Sequence, residues 1–272
     1  MKTKKVWWKV ILIIFTGGFL DMVLHAIISP LNSSNVSLFK PSIFVNQGIL
    51  IPAVIGWELL TFSVLALVFL LIQNHLPGKR WAKGFFYGLS FGGLYLIGMF
   101  ESVLLYNSTL LSELLMGLGD FLPILTTGIL LGIFTGTDET ENWKKQNVMQ
   151  VIVVAIFYIT GRYFTYSVFH IQSAYLINPL GMLIWTVCMG LWIGAIYFIL
   201  QPGIKGKSVI SQALFFGVFI FGSNWLMNHL FIAVIAELSS DLFIRTGTDV
   251  LFITVGVIVC RNPIIGKMVP SS

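Results

Sequence analysis

The chain has 272 residues, of which 57% are hydrophobic and 10% are charged. Water-soluble domains carry about a quarter of charged residues, so this composition excludes a soluble globular protein. The net charge of +5 does not indicate a nucleic-acid partner, because most basic residues lie in short clusters beside apolar runs. A lipid bilayer is the partner that the composition favours.

Eight apolar runs are long enough to cross a membrane, since a bilayer core of about 30 Å needs roughly 20 residues of helix. Four lysines precede the first run, which continues to about Ser29 without a small-residue cleavage site, so we expect an uncleaved first span. Thr109 and Ser239 each lie next to a serine, and we expect both to be helix N-caps. The predicted spans are 8–29, 49–72, 81–105, 109–134, 148–170, 176–200, 209–236 and 240–260.

The distribution of Lys and Arg predicts the orientation of these spans. Thirteen of the sixteen basic residues lie at one set of span ends, two (Lys40 and Arg245) lie at the other set, and Arg162 lies within a span. The positive-inside rule therefore predicts a multi-pass plasma-membrane protein with both termini in the cytoplasm. The Lys- and Ile-rich composition is typical of a bacterial protein.

The two halves of the chain share an ordered series of similar positions. We therefore predict an all-α polytopic membrane protein whose eight transmembrane helices form a tandem 4+4 parallel duplication. Its repeats would be residues 1–137 and 138–272, related by an axis along the membrane normal. The matched positions are 85–88 with 214–217, Gly93 with Gly222, Asp120 with Asp249, Gly17 with Gly161 and Trp57 with Trp185.

Ionisable residues inside apolar spans are the strongest functional signal. Each costs roughly 2.5–3.5 kcal/mol on insertion scales, so most serve a substrate path, a proton relay or a ligand pocket. In the predicted orientation nearly all lie in the outer halves of the spans. We therefore predict a polar cleft, open to the extracytoplasmic side, that binds a small molecule or ion. Its candidate residues are Asp21, His25, Glu58, Glu101, Asp120, Arg162, Asn224, Asn228, His229 and Asp249.

Several of these residues also have purely structural interpretations. Arg162 is either a ligand group or the ion-pair partner of Asp21 or Asp120. Asp241 and Arg245 lie four residues apart and are interpreted as a solvent-exposed pair at the membrane surface. Glu101, near the outer end of its span, fits an ordinary interface residue as well as a site residue. In the third span, glycines spaced four residues apart (Gly84, Gly88 and Gly92) predict a packing seam between helices.

A small-solute carrier or solute-binding membrane protein is the first functional interpretation. A carboxyl group held away from water resists ionisation, which makes Asp21, Glu58 and Asp120 candidates for proton exchange near neutral pH. Proton-coupled carriers require such groups. A non-catalytic partner or immunity-type subunit of another membrane protein is a further interpretation of the same chain.

A membrane-embedded enzyme or redox protein is the alternative from a different class. Asp21, His25, Glu58 and His229 offer the mixed oxygen and nitrogen ligands that suit Zn, Mn or Fe. A haem bound between His25 and His170 would be a second form of this enzyme or redox protein. The sequence has no HExxH, paired ExxH or Walker motif. An enzyme is therefore less favoured than a carrier, and we expect no cofactor.

Overall fold

The computed structural model describes residues 4–31, 40–106, 108–138 and 147–262, and within them the chain is all-helical. Eight helical units are long and apolar enough to cross a membrane, which confirms the all-α, multi-pass prediction. A π-helix at Phe215–Gly222 continues α9 into α10. The helices are α1 Lys4–Ile28, α2 Ile43–Asn46, α3 Leu50–Ile72, α4 Arg80–Met99, α5 Glu101–Tyr106, α6 Leu110–Thr135, α7 Met149–Val168, α8 Pro179–Leu200, α9 Val209–Leu214, α10 Ser223–Ile235 and α11 Ser240–Arg261.

Short polar side chains begin several of these helices. The Thr109 hydroxyl accepts a hydrogen bond from the Ser112 backbone N–H, and Ser239 caps α11 through the Asp241 N–H. Both caps confirm the prediction from sequence. Asn178 caps α8 in the same way. These side chains satisfy N–H groups that have no partner within the helix, so the spans that begin with α6, α8 and α11 have defined starts.

Contacts at the helix ends and in the loops define two sides of the bundle, here called the near side and the far side. On the near side, Arg80 pairs with Asp138, and Arg261 Nε donates to the Tyr197 hydroxyl at 3.1 Å. On the far side, the Glu237 backbone N–H donates to the carbonyl oxygen of Lys40 at 2.8 Å. The ends of α1 and α11 at Lys4 and Arg261 lie on the near side. The helix ends at Ile28, Tyr106, Val168 and Ile235 lie on the far side.

The glycine seam predicted in the third span is confirmed as a contact between α4 and α6. A Cβ atom added to Gly84 would collide with the carbonyl oxygen of Gly128. A Cβ atom at Gly88 would lie 2.9 Å from the Cα atom of Leu125. The two backbones therefore touch, a distance of approach that only glycine permits.

The two halves of the chain meet through two contacts of the same form. In one, Trp57 Nε1–H on α3 donates to the carbonyl oxygen of Met227 on α10, at 2.9 Å. In the other, Trp185 Nε1–H on α8 donates to the carbonyl oxygen of Ile97 on α4, also at 2.9 Å. In each case the second long helix of one half contacts the third long helix of the other half.

The outer surface of the bundle is apolar. Large hydrophobic side chains such as Phe19, Ile51, Leu180 and Leu251 are more than half exposed. A continuous apolar surface on helices of this length is the surface that faces lipid in a multi-pass membrane protein. Contact with the bilayer, as predicted, is the arrangement that these helices support.

Candidate functional site

The candidate polar residues separate into two groups instead of lining one open cleft. Seven of the ten are buried: Asp21, Glu58, Glu101, Arg162, Asn224, His229 and Asp249. One group, here the acidic cluster, consists of Asp21, His25, Glu58 and Asp120 on α1, α3 and α6. The other, here the paired cluster, consists of Glu101, Arg162, Arg245 and Asp249 on α5, α7 and α11. Both lie in the far half of the bundle.

Small residues bring the acidic cluster together. Asp21 and His25 lie one turn apart on α1, so both side chains point to the same face. A Cβ atom at Gly119 would lie 3.0 Å from His25 Cε1, so this glycine provides the space for the imidazole beside Asp120. Where α1 faces α3, a Cβ atom at Gly18 would lie 3.5 Å from the Cβ atom of Glu58. The helices therefore approach closely at the height of the cluster.

The imidazole of His25 lies between two aspartates. Its Nδ1 atom is 3.1 Å from the backbone carbonyl oxygen of Asp21 and 3.3 Å from Asp21 Oδ2. Its Nε2 atom is 3.4 Å from Asp120 Oδ1. One potential metal-ligand atom from each of the three residues lies within 4.8 Å of the other two. Asp21 and His25, both candidates from the sequence, share a face of α1, and Asp120 completes the group.

Glu58 is the most buried acid without a counter-charge. It is 4% exposed, and its Oε2 atom has no hydrogen-bond partner in the part of the chain that the structure describes. Its carboxyl group lies against that of Asp21. Among the ion pairs of the described residues, none joins Asp21, Glu58 or Asp120 to a lysine or an arginine. A buried carboxylate without a partner is costly, so this cluster requires a proton or a bound cation.

The paired cluster is balanced, with two guanidinium groups and two carboxylates. Arg162 is fully buried, and its Nη2 atom lies 2.8 Å from Asp249 Oδ2. Its Nη1 atom lies 3.4 Å from Glu101 Oε1, and Arg245 binds the same oxygen. The indole of Trp225 donates to Asp249 Oδ2 at 2.8 Å.

Three structural interpretations from the sequence are therefore wrong. Arg162 is paired, but with Asp249 and Glu101 and not with Asp21 or Asp120. Arg245 is buried against Glu101, so it does not form a solvent-exposed pair with Asp241. Glu101 is itself buried and binds both arginines, which excludes an ordinary surface position.

Aromatic rings surround the guanidinium group of Arg162. Its Cζ atom lies 5.2 Å from the ring centre of Trp185, 5.4 Å from that of Tyr158 and 5.8 Å from that of Trp225. Such rings stabilise a cation through their negative faces. With two guanidinium groups matched by two carboxylates, the paired cluster has the character of a structural element, although Nε and Nη2 of Arg162 and Oδ1 of Asp249 make no hydrogen bond within the described residues.

His229 and His170, which the sequence suggested as metal or haem ligands, lie outside the acidic cluster. His229 Nδ1 is 2.7 Å from the Thr246 hydroxyl, and its ring packs on Trp225, in contact with the paired cluster. His170 is exposed in the segment after α7. The proposed ligand set of Asp21, His25, Glu58 and His229 is therefore not assembled as a whole.

Both candidate asparagines lie on α10. Asn224 is buried and donates through Nδ2 to the carbonyl oxygen of Ile220 at 2.7 Å. Asn228 is half-buried. The sequence analysis missed Trp225 and Thr246, although Trp225 precedes His229 by one turn and so shares its helical face.

No family model, no curated protein and no solved structure matches this chain.

The charges of the two clusters distinguish them chemically. The paired cluster sets two carboxylates against two guanidinium groups, whereas the acidic cluster sets three carboxyl groups against one imidazole. Only the acidic cluster lacks a lysine or arginine partner among the described ion pairs, which makes it the candidate binding site.

Proposed function

We propose that this chain is a multi-pass membrane protein that binds a cationic solute at the acidic cluster and acts as a small-solute carrier or solute-binding protein. The observation that carries the proposal is that Asp21, Glu58 and Asp120 gather near a single imidazole with no lysine or arginine partner among the described ion pairs, and that Asp21 and Glu58 are buried among apolar helices. Polar groups retained at such a position in a membrane protein mark substrate and ion pathways.

The partial exposure of two residues of the acidic cluster supports this role. The side chains of His25 and Asp120 are 23% and 14% exposed, whereas Asp21 and Glu58 are almost fully enclosed. A cation would therefore meet His25 and Asp120 first. We assign the far side to the extracytoplasmic face of the plasma membrane and both termini to the cytoplasm. The support is the location of the exposed basic residues Lys79, Arg80, Lys205 and Lys207 at near-side helix ends.

The tandem duplication remains part of the proposal, with repeats at residues 1–137 and 138–272. The matched tryptophan contacts support it, because Trp57 and Trp185 were aligned from sequence and make equivalent hydrogen bonds to the opposite half. Under this relation Asp120 and Asp249 occupy equivalent positions. The first repeat would retain the binding site, while the second repeat holds its aspartate in an ion pair with Arg162.

Uptake by proteoliposomes tests the proposed function. The purified protein is reconstituted, and accumulation of a panel of inorganic and organic cations is measured for the wild type, Asp120→Asn and Glu113→Gln. Glu113 is a matched control, because it is a buried acid on α6 outside both clusters. At least one cation should accumulate or bind with the wild type and with Glu113→Gln, but not with Asp120→Asn. Equal behaviour of all three proteins, or the absence of any cation binding, would contradict the proposal.

A further inference from the structure

We propose that the acidic cluster is a site for a divalent transition-metal cation, with Asp21, His25 and Asp120 as ligands and Glu58 as the fourth. This inference deepens the proposed function and rests on it, since it names the chemical class of the cation. The ligand set differs from the one indicated by sequence, because Asp120 takes the place of His229.

The orientation of His25 supports metal binding. Its Nδ1 atom lies 3.1 Å from the carbonyl oxygen of Asp21, and a carbonyl oxygen only accepts, so Nδ1 carries a proton and donates. In a neutral imidazole the Nε2 atom then holds a lone pair, which faces Asp120 Oδ1 at 3.4 Å. A neutral ring therefore presents a lone pair to a carboxylate oxygen, and a cation between them, either a proton on the ring or a metal ion, stabilises the contact. Metal-bound histidines have this arrangement, with the second ring N–H donating to a carbonyl or carboxylate oxygen.

The spacing of these atoms suits a small cation. With metal–ligand bonds of about 2.0–2.2 Å in a tetrahedral site, neighbouring ligand atoms lie roughly 3.3–3.6 Å apart. The 3.4 Å between His25 Nε2 and Asp120 Oδ1 falls in this range. With the nearest ligand atom of Asp21 included, the three lie within 4.8 Å of one another. Side-chain rotations would close this three-residue set, and Glu58, which lies outside it and against Asp21, would have to rotate toward it to become the fourth ligand.

Glu58 is an independent indication of a ligand. It comes from a third helix, is 96% buried, and its carboxyl group lies against that of Asp21, while its Oε2 atom has no hydrogen-bond partner among the described residues. A bound cation would supply the missing partner and would offset the repulsion among the three acids. The combination of one imidazole with carboxylates favours Zn, Mn or Fe over Ca²⁺, which takes six to eight oxygen ligands.

Metal binding to the full-length protein in lipid nanodiscs tests the site directly. After chelator treatment and its removal, Zn²⁺ and Mn²⁺ are titrated separately by calorimetry. We expect one ion of one of these metals to bind per chain, with affinity reduced by at least about tenfold in His25→Gln and in Asp120→Asn. His170→Gln and Glu113→Gln are the controls, since each removes a comparable group outside the cluster, and both should bind as the wild type does. X-ray absorption of the loaded protein should show an imidazole nitrogen among oxygen ligands.

Thermal melting of each variant separates loss of the ligand from loss of the fold, and a variant that melts far below the wild type is replaced by His25→Asn or Asp120→Ser. Failure of both metals to bind the wild type, or wild-type binding by His25→Gln, would overturn the metal site. If metals do not bind but Asp120-dependent uptake of an organic cation persists, the metal inference fails and the proposed function stands. If a metal binds through His25 and Asp120 without any cation uptake, the site is supported and the carrier role is contradicted.

Discussion

At the residue scale, the two aspartates that the proposed duplication makes equivalent have different environments. Asp249 is fully buried and neutralises Arg162. Asp120 is one of two aspartates that lie against His25 and has no arginine or lysine partner among the described ion pairs. The same substitution should therefore have opposite consequences at the two positions.

Replacing Asp249 should destabilise the fold, whereas replacing Asp120 should not. Asp249→Asn removes a charge from a fully buried ion pair, and breaking such a pair costs roughly 3–5 kcal/mol. Asp120→Asn removes one of three neighbouring carboxylates, so the melting temperature should stay the same or rise. Melting curves from tryptophan fluorescence in detergent measure both effects. A melting temperature far below wild type for Asp120→Asn, with Asp249→Asn unaffected, would contradict these roles.

Glu101 should be as important to stability as Asp249. Its Oε1 atom binds both Arg162 and Arg245, so Glu101→Gln leaves two buried guanidinium groups opposite a single carboxylate. We expect a loss of roughly 3–5 kcal/mol in the free energy of unfolding. Asp241→Asn is the matched control, because Asp241 accepts from the Gln172 N–H at the exposed edge of the bundle. Equal melting temperatures for the two variants would show that the paired cluster is not structural.

At the scale of the element, the contact between α4 and α6 depends on the absence of side chains. Gly84→Ala should lower stability, because the added methyl group meets the backbone of Gly128 and forces the helices apart. Gly56→Ala on α3 is the control, since a Cβ atom there meets nothing within 4 Å. Overpacking typically costs about 1–3 kcal/mol. Chemical unfolding in detergent should therefore give a lower free energy of unfolding for Gly84→Ala than for Gly56→Ala. Equal stability of Gly84→Ala and the wild type would contradict close packing between α4 and α6.

The two tryptophan contacts between the halves should differ in strength. Trp57→Phe removes one hydrogen bond, to the carbonyl oxygen of Met227, and should cost about 0.5–1.5 kcal/mol. Trp185→Phe removes the equivalent bond and also weakens the ring contact with Arg162, so its melting temperature should be the lower one. The reverse order in melting curves would show that the ring contact with Arg162 contributes nothing.

At the scale of the whole molecule, the assignment of the far side to the cell exterior has a direct test. In a Cys188→Ser, Cys260→Ser background, Ile177→Cys should react with a membrane-impermeant maleimide in intact cells. Lys79→Cys should react only after the cells are opened. Both positions are exposed, and they lie on the far and near sides respectively. The opposite labelling pattern would place the acidic cluster on the cytoplasmic side.

The sequence by itself predicted the number of spans and the depth of the polar residues. The predicted span 109–134 became Leu110–Thr135, and 240–260 became Ser240–Arg261, because apolar length and N-caps are local properties of the chain. Depth follows from counting residues along a helix of known rise. The ten candidate residues were accordingly placed in one half of the bundle, where the structure also has them. The π-helix at Phe215–Gly222 was not predicted, since hydrophobic periodicity is too coarse to detect it.

Only the tertiary structure decided which of these residues meet. Several acids lie at the same depth as Arg162, and any of them satisfies its charge equally well in a sequence argument. The choice of Asp249 and Glu101 over Asp21 and Asp120 depends on which helices are neighbours and how each is rotated about its axis. The same rotation leaves Glu58 without a counter-charge and places Asp120 beside His25. Neighbour order and rotation are set by close packing, as at Gly84 and Gly128, which involves residues far apart in the chain.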